Sequence, residues 1–331
     1  MFSRRRVLAM TGVAAAAIAM PAIVRAAPIQ IILSHATAES HPGHIGAMAF
    51  KEAAEKLLPG QVEVQVFGNR QLGDDKQNVE SALAGTVQMA GVSTVLVPLV
   101  TGRPGMDALQ LPFLIRDYDH FGQLAKSPEM QAILDDLEEA GLVGLGVADI
   151  GQRNFLTTKK PVTSLPDFQG VKTRIVPVPL HQKIWETVGA APVGLPYGEV
   201  YGALETGVLD GVEINVSSIV GENLWEVGKH FTLTGHYPWP FVIIANKAWF
   251  DGLPKEVQDG LREAGRQMID KTLAYAKEQD LSAREDLKAK GVEIHELQDL
   301  EEMKTRVKPI IDEWSAKSPL IKNFVDAAQK S

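Results

Sequence analysis

The 331-residue sequence contains no cysteine, which excludes disulfides, thiolate nucleophiles and cysteine-ligated zinc. Beyond residue 26 it has no apolar run of the roughly 20 residues that a membrane-spanning helix needs. It has no Gly-x-Ser-x-Gly and no P-loop, so the serine-hydrolase elbow and the phosphate-gripping loop are missing. Gly141-Leu142-Val143-Gly144-Leu145-Gly146 lacks the spacing of a dinucleotide fingerprint and follows a predicted helix, not a strand. No internal repeat or low-complexity linker is present. Basic charge is also short, with 33 Lys and Arg against 41 Asp and Glu. Four of those arginines (Arg4, Arg5, Arg6 and Arg25) lie in residues 1–26, which hold no acid; 33 less 4 leaves 29 bases against 41 acids, a net charge of −12. Such a chain is a poor partner for nucleic acid or an anionic membrane, and an anion site in it must focus charge locally.

What is present begins with Ser3-Arg4-Arg5-Arg6-Val7-Leu8, a basic stretch with paired arginines, followed by Ala, Val, Ile and Met through Ile23 and by Val24-Arg25-Ala26. This predicts an export signal of the twin-arginine type over residues 1–26, removed on export to the periplasm. The remaining chain of about 300 residues is long enough for two domains.

Short strands and helices alternate along it, which predicts an α/β architecture. Strands are expected at 29–33, 62–66, 87–96, 142–148, 155–158, 171–175, 208–214, 241–246 and 292–294, and helices at 41–58, 74–84, 129–139, 181–188, 198–204, 216–227 and 300–316. From Pro254 to about Lys290 the apolar residues Val257, Leu261, Ala264, Met268, Leu273, Ala276 and Leu281 recur at helical spacing without a proline. A helix of that length covers roughly 50 Å and is expected to run along two lobes. The boundaries expected are 27–150 with about 237–270 for lobe I, and 151–236 with about 271–331 for lobe II.

The chemistry concentrates in residues 151–215. Arg153 and Arg174 each lie beside a predicted strand, and a guanidinium fork matches a carboxylate two bonds at a time. Pro177 and Pro179 stiffen the turn after Arg174. The alternative for both is a solvated surface arginine. In Asp210-Gly211-Val212-Glu213-Ile214-Asn215, Glu213 and Asn215 share a face and can bind a ligand, while Asn215 can also cap the helix from Val216. Tyr197 can stack on a ligand or belong to the core. His35, His41 and His44, with Glu39 near, lack a tight ligand cluster, and a loop or cap role is expected over a metal. No cofactor, metal or catalytic set is expected.

Taken in order, Gln71-Leu72-Gly73-Asp74-Asp75, Arg153 with Thr157-Thr158-Lys159-Lys160-Pro161-Val162, Gly170 to Pro177, Glu199-Val200-Tyr201 with Ala203-Leu204-Glu205-Thr206-Gly207-Val208, Asp210-Gly211 and Trp225-Glu226-Val227 resemble the solute receptors of tripartite ATP-independent periplasmic (TRAP) transporters. The resemblance runs from about Ile31 to Ala316. It implies a two-lobe periplasmic binding-protein fold with a long helix spanning both lobes. It places the carboxylate-binding arginine on Arg174, a second arginine on Arg153, an aromatic contact on Tyr197, and further contacts on His35, Asp74 and Ser93. Sialic-acid receptors of the family set Asn directly after Glu and carry an acid where Ser93 stands; Ile214 intervenes here, and both departures point away from sialic acid. Glu213, Asn215 and Asn154 suit a hydroxylated acid such as a uronate or aldonate, with a plain dicarboxylate or a keto acid as alternatives. The expected partners are that acid and the transporter's membrane subunits, the expected state a monomer. The rival class is an exported enzyme on an acidic sugar, with Glu213 or Asp74 as general base.

Overall fold

A computed structural model describes residues 27–331; the expected export signal lies outside the described residues. Lobe I begins with β1 (Ile29–His35), α1 (Pro42–Leu57), β2 (Val62–Phe67), α2 (Asp75–Ala84), β3 (Met89–Ser93), α3 (Leu96–Thr101), α4 (Tyr118–Leu124) and α5 (Pro128–Asp136). The chain then enters β4 (Leu142–Thr157), followed in lobe II by β5 (Lys172–Ile175), α6 (Pro179–Val188), β6 (Ala191–Gly194), α7 (Val200–Glu205), β7 (Gly211–Asn215), α8 (Val216–Gly221) and β8 (His230–Leu233). It returns through β9 (Pro238–Asn246), α9 (Lys247–Asp251), α10 (Lys255–Ala289), β10 (Glu293–Glu296), α11 (Leu300–Val307), α12 (Pro309–Ser315) and α13 (Pro319–Ala328).

The strands run β2-β1-β3-β9-β4-β7-β5-β6, with β8 beside β4 and β10 parallel to β8. β4 belongs to both halves. Residues 142–152 pair antiparallel with β9, and Arg153–Thr157 pair antiparallel with β7. Two separate strands are expected there from sequence, with Gly151 between them. The structure instead absorbs the glycine in a bulge between Asp149 and Gln152. Gly151 takes φ 150°, and a Cβ on it would lie 2.6 Å from the Asn215 amide nitrogen. Asp149 pins the bulge: its Oδ1 accepts from the backbone N–H groups of Gly151 (2.9 Å) and Trp239 (3.1 Å), its Oδ2 from Gln152 Nε2 (2.6 Å).

The 35 residues of α10 form one unbroken helix, about 50 Å long. Val257 to Ala276 pack into the larger apolar core, while Ala283 and Leu287 reach the smaller one formed by Leu156, Val212, Ile214 and Phe231 in lobe II. The helix thus ties both lobes. It lies directly on β4 because Gly265 faces Gly146: a Cβ on Gly265 would sit 2.0 Å from the Leu145 carbonyl oxygen. Backbone on both sides cannot yield as a flexible side chain can. Gly265→Val is therefore expected to lower unfolding free energy by about 3 kcal/mol, read from urea denaturation; a loss under about 0.5 kcal/mol would show that the contact relaxes freely.

The single helix expected over 300–316 is cut by Pro309, which cannot donate to the preceding turn. A further helix, α13, follows and buries Ile321, Phe324 and Val325. The expectation placed 271–331 in lobe II, yet Leu320 meets Gly105 of the 104–110 turn in lobe I, beside Ile133 of α5. The strand expected over 87–96 is shorter, because α3 starts at Leu96.

Candidate functional site

The parallel strands β5, β6 and β7 end toward the gap between the lobes, where open α/β sheets place their ligand crevices. A cavity of about 100 Å³ lies there. Arg153, Arg174, Val176, Pro196, Tyr197, Ser218 and Trp239 line it together with Thr37, Asp74, Asp75 and Leu96 of lobe I.

Arg174, 2% exposed, stands near the end of β5. Its Nε donates to the Leu195 carbonyl at 3.0 Å, and its two terminal nitrogens have no hydrogen-bond or ion-pair partner among the described residues. Burial lowers its pKa to about 10, against the pull of Glu213, with Arg153 adding repulsion. A buried cation without a counter-ion is costly, so this guanidinium calls for an anion.

Arg153 differs. Its Nε donates to Glu213 Oε2 at 2.6 Å, one terminal nitrogen to the Glu213 carbonyl, the other to Asn215 Oδ1 at 3.3 Å. The guanidinium carbon lies 4.0 Å from the centre of the Trp239 ring. Burial alone would raise the Glu213 carboxyl, but the Arg153 charge beside it holds it well below the usual carboxylate range. His181 and His236 flank that carboxylate at 3.7 and 3.8 Å. Burial pushes both histidines down, His181 to about 3, which favours the neutral imidazole.

The sequence-derived residues therefore divide. Arg174, Arg153, Tyr197 and Asp74 line one cavity. Glu213 and Asn215, both fully buried, lie behind Arg153 and fix its pose instead of lining the cavity. Asn215 also donates to Ser217 Oγ at 2.6 Å; it precedes α8, but its side chain does not cap the helix. Asn154 does not line the cavity. Its neighbour Arg153 takes that face, so Asn154 points oppositely and accepts from the N–H groups of Thr234 and Gly235. His35 does not line it either; it bonds His44 at 3.0 Å and Thr37. His41 caps α1 through Gly43 and reaches Ser218 in lobe II at 3.1 Å. Ser93 contributes through its backbone N–H, which donates to Asp75 Oδ2 at 3.0 Å. Burial pushes Asp75 up to about 7.

Sequence reasoning missed Asp75, Trp239 and the bridges over the cavity. Arg70 of lobe I pairs with Glu222 of lobe II through two bonds of 2.9 and 2.8 Å and lies 5.3 Å from the Tyr197 ring centre. Asn69 and Arg70 both hold positive φ, 51° and 59°, an uncommon conformation for side-chain-bearing residues. Gly198 N–H donates to Asp74 Oδ2 at 3.1 Å, also across the gap. Arg70–Glu222, Asp74–Gly198 and His41–Ser218 thus link the two lobes across the gap.

A sequence profile for bacterial extracellular solute-binding proteins, family 7 (DctP), matches residues 33–318. The chain belongs to that family, the solute-binding proteins of TRAP transporters. Members are receptors, not enzymes. The chain is 34% identical over 299 residues to the C4-dicarboxylate-binding periplasmic protein DctP of Rhodobacter capsulatus, covering 90% of this chain and 89% of that one. It superposes on the sugar acid binding protein of Advenella mimigardefordensis in complex with galactonate with a TM-score of 0.86 at 29% identity, covering 92% and 98% of the two chains. A TRAP periplasmic solute binding protein of Xanthobacter autotrophicus with bound β-D-galacturonate gives a TM-score of 0.86 at 27% identity, covering 91% of this chain and 100% of that one. The two-lobe fold and the lobe-spanning α10 of this TRAP receptor thus match solved members. Among the described residues, no helix is long and apolar enough to cross a membrane.

Proposed function

We propose that this TRAP receptor captures a hydroxylated sugar monoacid, a uronate or aldonate, in the periplasm and delivers it to the transporter's membrane subunits. The observation that carries the reading is the charge balance of the cavity. Three cations line it: Lys76 lies 3.3 Å from Glu80 and Glu213 compensates Arg153, leaving Arg174 as the cation without a counter-ion. One free guanidinium holds one carboxylate in a two-bond clamp. A second carboxylate would meet Asp74 beside Asp75, whose pKa burial raises, on the opposite wall, where Lys76 is already paired with Glu80. Those acids instead suit hydroxyls, which donate to them, and Asp74 Oδ1 is buried without a donor. The galactonate and galacturonate named for the two structural neighbours have this chemistry, one acid group and several hydroxyls.

Contacts from both lobes make the ligand favour the closed form, since a ligand touching one lobe alone cannot shift that equilibrium. The membrane subunits then read closure as surface shape. A thermal-shift panel of galacturonate, glucuronate, galactonate, succinate, malate, a keto acid and an amino acid tests the reading. The sugar acids are expected to raise the melting temperature at concentrations where succinate and malate do not, because a ligand stabilises whichever state it binds. A response led by the dicarboxylates would assign the protein to that ligand class.

A further inference from the structure

We propose that His230, Glu293 and His295, on β8 and β10 and apart from the residues that line the solute cavity, form a binding site for a divalent transition-metal ion of the zinc type. The strands dictate the grouping. β10 pairs in parallel with β8, setting Glu293 opposite His230. Paired residues in neighbouring strands point to one face, and period two puts His295 on it as well. Phe231 and Ile294 take the other face and pack into the smaller core. His230 Nδ1 and His295 Nε2 are 3.3 Å apart, and each nitrogen approaches Glu293 Oε2, at 3.4 and 3.6 Å. Those three edges are nearly equal. A tetrahedral zinc ion with bonds of about 2.0–2.1 Å separates its ligands by roughly 3.3–3.4 Å. One ion therefore reaches all three atoms with little movement.

The ligand set favours a particular class of metal. Two imidazoles and a carboxylate suit zinc, cobalt, nickel or copper, whereas calcium and magnesium select oxygen ligands. The histidines are 15% and 21% exposed and the glutamate 68%, so the ion enters from solvent and keeps a fourth position for water. A bound ion joins β10, the strand that follows the long helix, to β8, which lies against β4. It also covers part of an edge strand that has no other neighbour among the described residues.

The test uses untagged protein treated with EDTA and then titrated with CoCl₂ and ZnCl₂. One equivalent of cobalt is expected to produce the visible ligand-field absorption of a tetrahedral site, and one equivalent of zinc to erase it and raise the melting temperature. His295→Ala and His230→Ala are expected to weaken zinc binding at least tenfold, and Glu293→Gln, at an exposed position, to weaken it while leaving the zinc-free melting temperature unchanged. The far-ultraviolet circular dichroism of all three variants should match that of the parent, reporting a folded protein. Failure of the unsubstituted protein to take up one equivalent overturns the proposal, as does undiminished zinc affinity in the Glu293→Gln variant or in a folded histidine variant.

Discussion

Substitution of Arg174 by methionine is expected to move ligand affinity and ligand-free stability in opposite directions. In the proposed clamp the two terminal nitrogens, which have no partner among the described residues, would make two charge-assisted bonds to a carboxylate, each contributing about 1.5–3 kcal/mol. Their loss raises Kd by a factor of roughly 10² to 10⁴. Without ligand the same guanidinium is a buried charge that lacks a counter-ion, and its depressed pKa records that cost. A methionine of similar length removes the charge and leaves an apolar side chain in a cavity that Val176 and Leu96 also line. Replacing buried ionic groups by apolar ones is often neutral or stabilising by about 1–4 kcal/mol, and a gain near the middle of that range is expected here. Titration calorimetry with galacturonate and urea denaturation of the ligand-free protein read the two effects separately. A destabilised ligand-free variant would mean that the cation is already compensated. Unchanged affinity would mean that the acid group is held elsewhere.

That division between a free and a compensated arginine was only half legible in the sequence. Both arginines stand out as cations beside strands in an acidic chain, and both reach the cavity. The shared face of Glu213 and Asn215 also follows from strand alternation. What that face meets depends on register: β4 and β7 set Arg153 opposite Asn215 and Phe155 opposite Glu213, and no local pattern fixes that pairing. The position of Asn154 could have been read from alternation alone, since the residue after Arg153 in a strand must point away from it. Asp75, Trp239 and the Arg70–Glu222 bridge come from segments far apart in the chain, so only tertiary structure brings them together. The long helix was legible because its period persists without a proline. β4 was not, because a glycine that reads as a break serves here as a bulge.

Glu213 offers the sharpest test of the compensation itself. Glu213→Gln keeps the shape but removes the charge opposite Arg153, leaving two buried guanidiniums near one cavity. Breaking a buried pair in this way costs about 3–5 kcal/mol, and the lower end is expected because the Gln oxygen still accepts one bond. The pH dependence identifies the origin of the loss. The Glu213 pKa is depressed by folding, so its contribution is fully present above the ordinary carboxylate range and disappears as pH falls through its lower folded value. The stability gap between parent and variant should stay level from pH 8 to about 5 and narrow in stronger acid. A gap that closes near pH 6.5 would mean that His181 or His236 carries the charge, contrary to their burial. Ligand choice should change too. With Arg153 released, a second carboxylate gains a cation, and succinate should rise in affinity relative to galacturonate. If dicarboxylates bind no better to the variant than to the parent, Glu213 stabilises the fold but does not set the number of acid groups the cavity accepts.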